Sequence, residues 1–294
     1  MKKGIWLAVC AYGCWGFFPI YFRLLDGVPP LEITAHRVFW SCVTVATFLL
    51  LRGEVKQTAI ALKNRQTFLL YTAAAITIAV NWLVYVWAVD AKRVVDASLG
   101  YYINPLFSVL LGFLVLKERV RRIQWLPIGL IACAVLFLSL VYGEFPWIAL
   151  VLAAAFGTYG LVKKVAPLSS AQGLLIETAM LGLPALVYLI NLACNGSGSF
   201  GSGGLGISLL LAVSGAVTLL PLLLFAAALK HAPLSVVGLI QYLTPTMQFC
   251  VGAILFHEPL AQAKLIGFAF VWVGITIYAA EAYRYTQNRS TLHQ

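Results

Sequence analysis

The sequence predicts an all-α polytopic membrane protein, with ten transmembrane helices arranged as two inverted five-helix repeats (5+5) and both termini cytoplasmic. Three observations carry this expectation. Of 294 residues, 62% are apolar and only 10% charged, with mean hydropathy +0.92; soluble domains average about 45–50% and about 25%. The apolar residues fall into continuous runs near the roughly 20 residues needed to cross a bilayer as a helix, without the alternation of a barrel strand. The two halves of the chain also repeat. A soluble enzyme and a disordered chain are excluded, because no single core of this size could bury such an apolar excess.

The runs lie in order at about 4–25, 31–51, 68–89, 94–116, 123–142, 146–163, 170–193, 205–229, 234–256 and 262–283. The N-terminal MKKGIWLAVC resembles a secretory or lipoprotein signal. However, Val9 rather than a small residue precedes Cys10, and the apolar run continues to about Leu25, so the first helix is expected to remain. Most connections are very short, which makes consecutive helices antiparallel neighbours. The longest are the charged 52–67 and the Gly/Ser-rich, uncharged 194–204. Lys and Arg in alternate connections number fifteen on one side and four on the other, with Arg37 inside a helix. The richer side is expected to face the cytoplasm. The net charge of +10 thus reports orientation in a lipid bilayer and not nucleic-acid binding, which needs a basic face.

Residues separated by 140 positions match across the halves: Tyr102/Tyr242, Pro105/Pro245, Gly112/Gly252 and Glu118/Glu258, with Leu83/Leu223, Ala88/Ala228 and Leu99/Leu239. Trp15-Gly16 matches Phe156-Gly157 at 141. The chain divides into a first repeat (1–143), a second repeat (144–284) and a short cytoplasmic tail (285–294). Five helices per repeat is odd, so the second copy enters the membrane inverted. Inverted repeats are the sequence sign of alternating access, with the binding site at the repeat interface near the midplane.

Ionisable groups inside spans need a partner, water or a substrate. The second span opens LEITAHRVFWS, placing Glu32 and His36 four residues apart on one helix face and Arg37 about 100° round. The seventh span holds one acid, Glu177, which is 141 residues from His36. These four are coupling or gating candidates, with Glu177 expected to pair with Arg37 or His36 across the halves. The competing reading has Arg37 snorkelling and Glu32 and His36 in the headgroup region. Asn104-Pro105 and Thr244-Pro245 put prolines inside paired helices, where a bend releases a carbonyl toward a cavity. Trp15, Asn81, Tyr85, Tyr101, Tyr102, Asn104, Tyr159, Gln241 and Tyr242 are candidate pathway residues. An aromatic cage with polar tips suits a flat aromatic or amphipathic molecule, or a cation. The alternative for these positions is helix–helix packing. Trp6, Trp125 and Trp147, near span ends, read as interfacial anchors.

No P-loop, HExxH or GxSxG occurs, which removes an ATP-driven pump and the common hydrolase and metalloprotease readings. Gly201, Gly203 and Gly206 match GxGxxG, but no strand precedes them. Six cysteines without CxxC imply no disulfide framework, and His231, His257 and His293 lack metal-ligand spacing. No catalytic residue, cofactor or metal is expected.

The segments WGFFPIYF (15–22), HRVFWS (36–41), NWLVYVWAV (81–89), ASLGYYINPL (97–106), TYGLVKK (158–164), GLLIET (173–178) and QYLTPT (241–246) are similar to the RarD family within the EamA branch of the drug/metabolite transporter superfamily. The resemblance implies secondary export of small metabolites or drugs through a central cavity between two five-helix halves. Relatives often carry Gly-Glu-Arg where this chain has Lys117-Glu118-Arg119; Glu118 and Glu258 then read as turn-closing acids. The expected activity is transport of a small-molecule substrate driven by a proton (H+) gradient or by another ion or substrate gradient. A passive channel or facilitator is the first alternative and an intramembrane lipid-modifying enzyme using His36 or Glu177 the second. Substrate identity, direction, the coupling ion and oligomeric state, a homodimer included, stay open.

Overall fold

The computed structural model describes residues 1–91, 94–119, 125–142 and 147–256, with 269, 272–274 and 276–277. The helices are α1 (Lys2–Gly16), α2 (Phe18–Arg23), α3 (Pro30–Leu51), α4 (Val55–Ala61), α5 (Arg65–Asp90), α6 (Val94–Leu114), α7 (Trp125–Tyr142), α8 (Trp147–Val165), α9 (Ser170–Cys194), α10 (Gly204–His231), α11 (Leu234–Ile240) and α12 (Leu243–Cys250). A π-helical turn at Val251–Leu255 follows. The first nine sequence-predicted spans coincide with these helices; the tenth, 262–283, and the 285–294 tail lie almost wholly outside the described residues. Among the described residues, seven helical stretches are long and apolar enough to cross a membrane.

The outer surface confirms lipid as the solvent. Leu51, Leu140, Leu183, Leu205 and Ile254 are exposed, a pattern water would not tolerate. Trp6, Trp125 and Trp147 are exposed too. Inside, small and aromatic residues let helices approach closely. A Cβ on Gly215 would lie 2.3 Å from the Trp40 carbonyl carbon, locking α10 against α3. One on Gly238 would meet Ser108 Cβ at 2.5 Å, joining α11 to α6. The halves interlock: α3 packs on α9 and α10, α1 on α10 and α12, and α5 and α6 on α8.

Helix ends follow local chemistry. Ser169 and Gln172 form a reciprocal capping box at the start of α9. Glu118 reaches from beyond α6 to the start of α11, accepting from the Leu234 and Ser235 amides at 2.7 and 2.9 Å and from Ser235 Oγ at 2.6 Å. The turn-closing reading of Glu118 therefore becomes a helix cap between distant segments, where a carboxylate meets the positive helix end. Glu258 lies outside the described residues. Lys117 has φ 54°, the left-handed conformation that suits glycine, the residue implied at this position by the family resemblance.

Prolines break two helices where the candidate site forms. Pro19 cannot donate to the Trp15 carbonyl, and Gln248 Nε2 donates to it at 3.1 Å. Pro245 likewise has no amide for Gln241, and the break between α11 and α12 falls at Gln241–Tyr242. The Gln241 carbonyl accepts instead from Thr244 N at 3.0 Å. Pro105 sits within α6, which continues through it. Thr244 Oγ1 donates to the Tyr12 carbonyl at 2.9 Å, tying the broken helix of one half to that of the other.

Candidate functional site

A cavity of about 350 Å³ opens among α1, α2, α3, α5 and α6 from the first half and α8, α10 and the α11–α12 break from the second. Its aromatic wall comprises Tyr12, Trp15, Phe18, Phe22, Trp82, Tyr85, Tyr101 and Phe156; Arg37, Asn81, Asn104, Thr218, Gln241, Thr244 and Gln248 supply polar groups. Residues one offset of 140 or 141 apart share this wall. Trp15/Phe156, Ile78/Thr218, Trp82/Leu222, Tyr101/Gln241 and Asn104/Thr244 are each separated by 140 or 141 residues, and all ten line the cavity. Trp15 and Phe156 meet edge-on, centroids 6.1 Å apart.

Of the sequence-predicted pathway residues, Trp15, Asn81, Tyr85, Tyr101, Asn104 and Gln241 face this space. Asn81 also donates from Nδ2 to the Leu152 carbonyl at 3.0 Å, bracing α5 against α8. Tyr159 and Tyr242 are fully buried away from it. Tyr159 stacks on Phe225 at 6.1 Å and donates its hydroxyl to Glu177. The Tyr102 side chain lies outside the described residues. Sequence reasoning missed Tyr12, Thr218 and Gln248, which also line the cavity; Trp82, beside Asn81 in the NWLVYVWAV segment, belongs to the aromatic cage the sequence suggested.

The ionisable groups are not arranged as the sequence led us to expect. Glu177 does not pair with Arg37 or His36. Its Oε1 accepts from Lys163 Nζ at 2.7 Å and its Oε2 from Tyr159 Oη at 3.0 Å, with Lys163 3% and Glu177 2% exposed. Lys163 and Glu177 sit at equal distances in sequence from Ser170 on the two arms of the α8–α9 hairpin, so the nearer cation satisfies the acid. Lys163 counted as a loop cation in the orientation tally; it is a buried partner. Its neighbours have structural contacts as well. Lys164 Nζ donates to the Leu229 and Ala232 carbonyls at 2.6 Å each, and Lys230 Nζ donates to the Ala166 carbonyl. These cations complement helix C-termini.

Glu32 and His36 are buried within the protein, 1% and 5% exposed. Glu32 accepts from Ser199 N at 2.6 Å and Ser199 Oγ at 3.0 Å, and lies 3.9 Å from His36 Nε2. The His36 ring stacks on Phe200 at 5.0 Å. The uncharged 194–204 connection is therefore latched onto α3. Arg37 points into the cavity: its guanidinium lies 5.3 to 5.7 Å from the ring centres of Phe22, Trp82 and Phe18, and Nε donates to Thr218 Oγ1 at 2.8 Å. Among the described residues, no group of three or more His, Cys, Asp or Glu side chains could hold a metal.

Comparison with known proteins adds three findings. A model of the EamA-like transporter family matches residues 2–140. The protein RarD of Streptomyces exfoliatus is 43% identical over 98% of this chain and 91% of its own, and an uncharacterized transporter of Pseudomonas aeruginosa is 40% identical over 97% and 95%. A solved crystal structure superposes with TM-score 0.71 at 16% identity, covering 97% of this chain and 99% of that one, which shows shared fold.

Proposed function

Because the chain belongs to the RarD family of EamA-like transporters, and is thus a multi-pass membrane transporter, we propose that it is a secondary active exporter working by alternating access. It carries a small, flat organic molecule across the bacterial inner membrane, with both termini in the cytoplasm. The unit is ten helices in two inverted halves, 1–143 and 144–284. The observation that carries this reading is the cavity wall built from five repeat-related residue pairs. Two inverted copies that share one central site can exchange conformations and so present that site to either side. The aromatic faces of Trp15, Trp82, Tyr85 and Tyr101 hold the body of the cargo, while Asn81, Asn104 and Gln241 orient it.

The embedded charges take separate parts. Glu32 and His36 hold the Ser199–Phe200 connection and act as the outer gate. Glu177, fixed by Lys163 and Tyr159, joins α8 to α9 near the cytoplasmic ends and is the group through which a proton gradient acts. Purified protein in liposomes, given a panel of radiolabelled flat metabolites and antibiotics, tests the reading. Uphill accumulation only under an imposed pH gradient is the expected result. Equilibration without accumulation identifies a facilitator, and a chemically altered solute an enzyme; either overturns the proposal.

A further inference from the structure

Among the described residues, Arg37 is the one charged side chain lining the cavity, and it is paired with no carboxylate. Arg37 Nε is taken by Thr218, while Nη1 and Nη2 donate to no acceptor among the described residues. No described Asp or Glu lies within ion-pair distance of the guanidinium. Three aromatic faces surround it, so the cation–π contacts that a sequence reading reserved for a cationic cargo are already occupied by the protein's own cation. Ring faces attract a guanidinium but leave its in-plane N–H donors free, and those donors fit a carboxylate two at a time.

The repeat sharpens the point. Glu177 and Arg37 are 140 residues apart, and Lys163 and Phe22 are 141 apart. The second half thus closes its embedded charge internally, Lys163 on Glu177, at 2.7 Å. At the corresponding place the first half sets the ring of Phe22 against Arg37 and leaves the charge open to the cavity. An unneutralised cation within the membrane costs several kcal/mol, a cost that falls when a counter-ion enters. Three further atoms on cavity-wall residues, Tyr12 Oη, Asn104 Oδ1 and Gln241 Oε1, are buried with no partner among the described residues. The Tyr12 hydroxyl can donate to a carboxylate, and the two amide oxygens can accept from an N–H or O–H donor elsewhere on the cargo.

We propose that the cavity binds an organic carboxylate, a planar apolar body bearing one anionic group that Arg37 neutralises. This deepens the transporter reading but depends on it only for the step after binding. Asn104 and Gln241 accept from hydrogen-bond donors elsewhere on the same molecule. A bare organic cation is the least favoured cargo, because it would share about 350 Å³ with Arg37.

Matched ligand sets test this on the purified full chain by thermal stabilisation. Indole-3-acetate, indole-3-acetamide and tryptamine keep one body and change only the charged end; phenyl and naphthyl sets repeat the comparison. The carboxylate is expected to stabilise in at least one set, with the amide and ammonium forms at least about tenfold weaker. Arg37→Gln is expected to weaken the carboxylate about ten- to hundredfold, the loss of a charge-assisted hydrogen bond. Arg37→Lys, which keeps charge but not the planar fork, falls between. The ranking within each set is read on the unmodified protein, so the test survives if Arg37→Gln fails to fold. An ammonium or amide form that binds best, no carboxylate response in any set, or a response unchanged in folded Arg37→Gln overturns the proposal. So does stabilisation by chloride against gluconate with none by any carboxylate, which would make the site one for an inorganic anion. If the carboxylate binds yet never crosses the liposome membrane, binding stands and the transport reading fails. If an ammonium form is carried instead, transport stands and this inference fails.

Discussion

Replacing Lys163 by methionine removes one partner of the buried pair with Glu177 while keeping an unbranched side chain one atom shorter. Lys163 and Glu177 are 3% and 2% exposed and 2.7 Å apart, so neither can turn to water when the other is lost. Removing one member of such a pair leaves an uncompensated buried charge and costs about 3–5 kcal/mol. A lone hydrogen bond between membrane helices averages about 0.6 kcal/mol, so the size of the effect decides which description applies. At about 2–4 °C per kcal/mol for chains of roughly this length, Lys163→Met should lower the midpoint of unfolding by about 6–20 °C. Tryptophan fluorescence during heating in detergent measures it. The double variant Lys163→Met/Glu177→Gln removes both charges and keeps an acceptor for Tyr159. It should recover at least half of the loss, because a pair removed whole leaves no stranded charge. A single-variant cost below about 1 kcal/mol, or a double variant as unstable as the two losses summed, would refute the argument that this contact is a buried ion pair fixing α8 to α9.

Four further outcomes are expected. Lys117→Gly relieves a left-handed backbone at φ 54° and should be neutral to stabilising by up to about 1 kcal/mol; a marked loss in thermal unfolding would contradict that account. Glu118→Ala strips the two amides that open α11 of their acceptor and should cost about 0.5–2 kcal/mol, with faster amide hydrogen exchange confined to Leu234–Ile240. Gly215→Val drives a branched side chain into the Trp40 backbone at 2.3 Å and should reduce folded yield more than the same change at Gly13, where a Cβ meets nothing. Cys194, exposed at the end of α9, should react with a membrane-impermeant maleimide from outside intact cells in a variant retaining that cysteine alone; labelling only after lysis would reverse the orientation of the termini.

The spans were legible because they are properties of long segments. A run of twenty apolar residues survives errors of two or three at each end, and an offset of 140 can be read from identities alone. The cavity was legible to the extent that repeat and polarity coincided: Asn81, Asn104 and Gln241 are uncharged amides in apolar helices, and they line it. Tyr159 and Tyr242 carry the same chemical signature, yet they are buried in the packing. Periodicity within one helix does not say which neighbour a face meets. For Tyr159 the answer depended on Phe225 and Glu177, residues on two other helices.

The ionisable groups show where charge counting stops being informative. A lysine near a helix end scores as an orientation signal whether its ammonium reaches water, a carbonyl or a carboxylate. Lys163 reaches Glu177, whereas Lys164 and Lys230 reach the last carbonyls of neighbouring helices. Three of the fifteen cations assigned to the richer side therefore hold helices together, and the remaining twelve still exceed the opposing four. The same hairpin geometry that supplies Lys163 to Glu177 withholds Glu177 from Arg37. Once that acid is committed, the half of the molecule that keeps an open charge is the half whose open charge faces the cavity. The departure from repeat symmetry and the place where a charged cargo would sit are then one feature of the sequence: a phenylalanine at position 22 where the other half has Lys163.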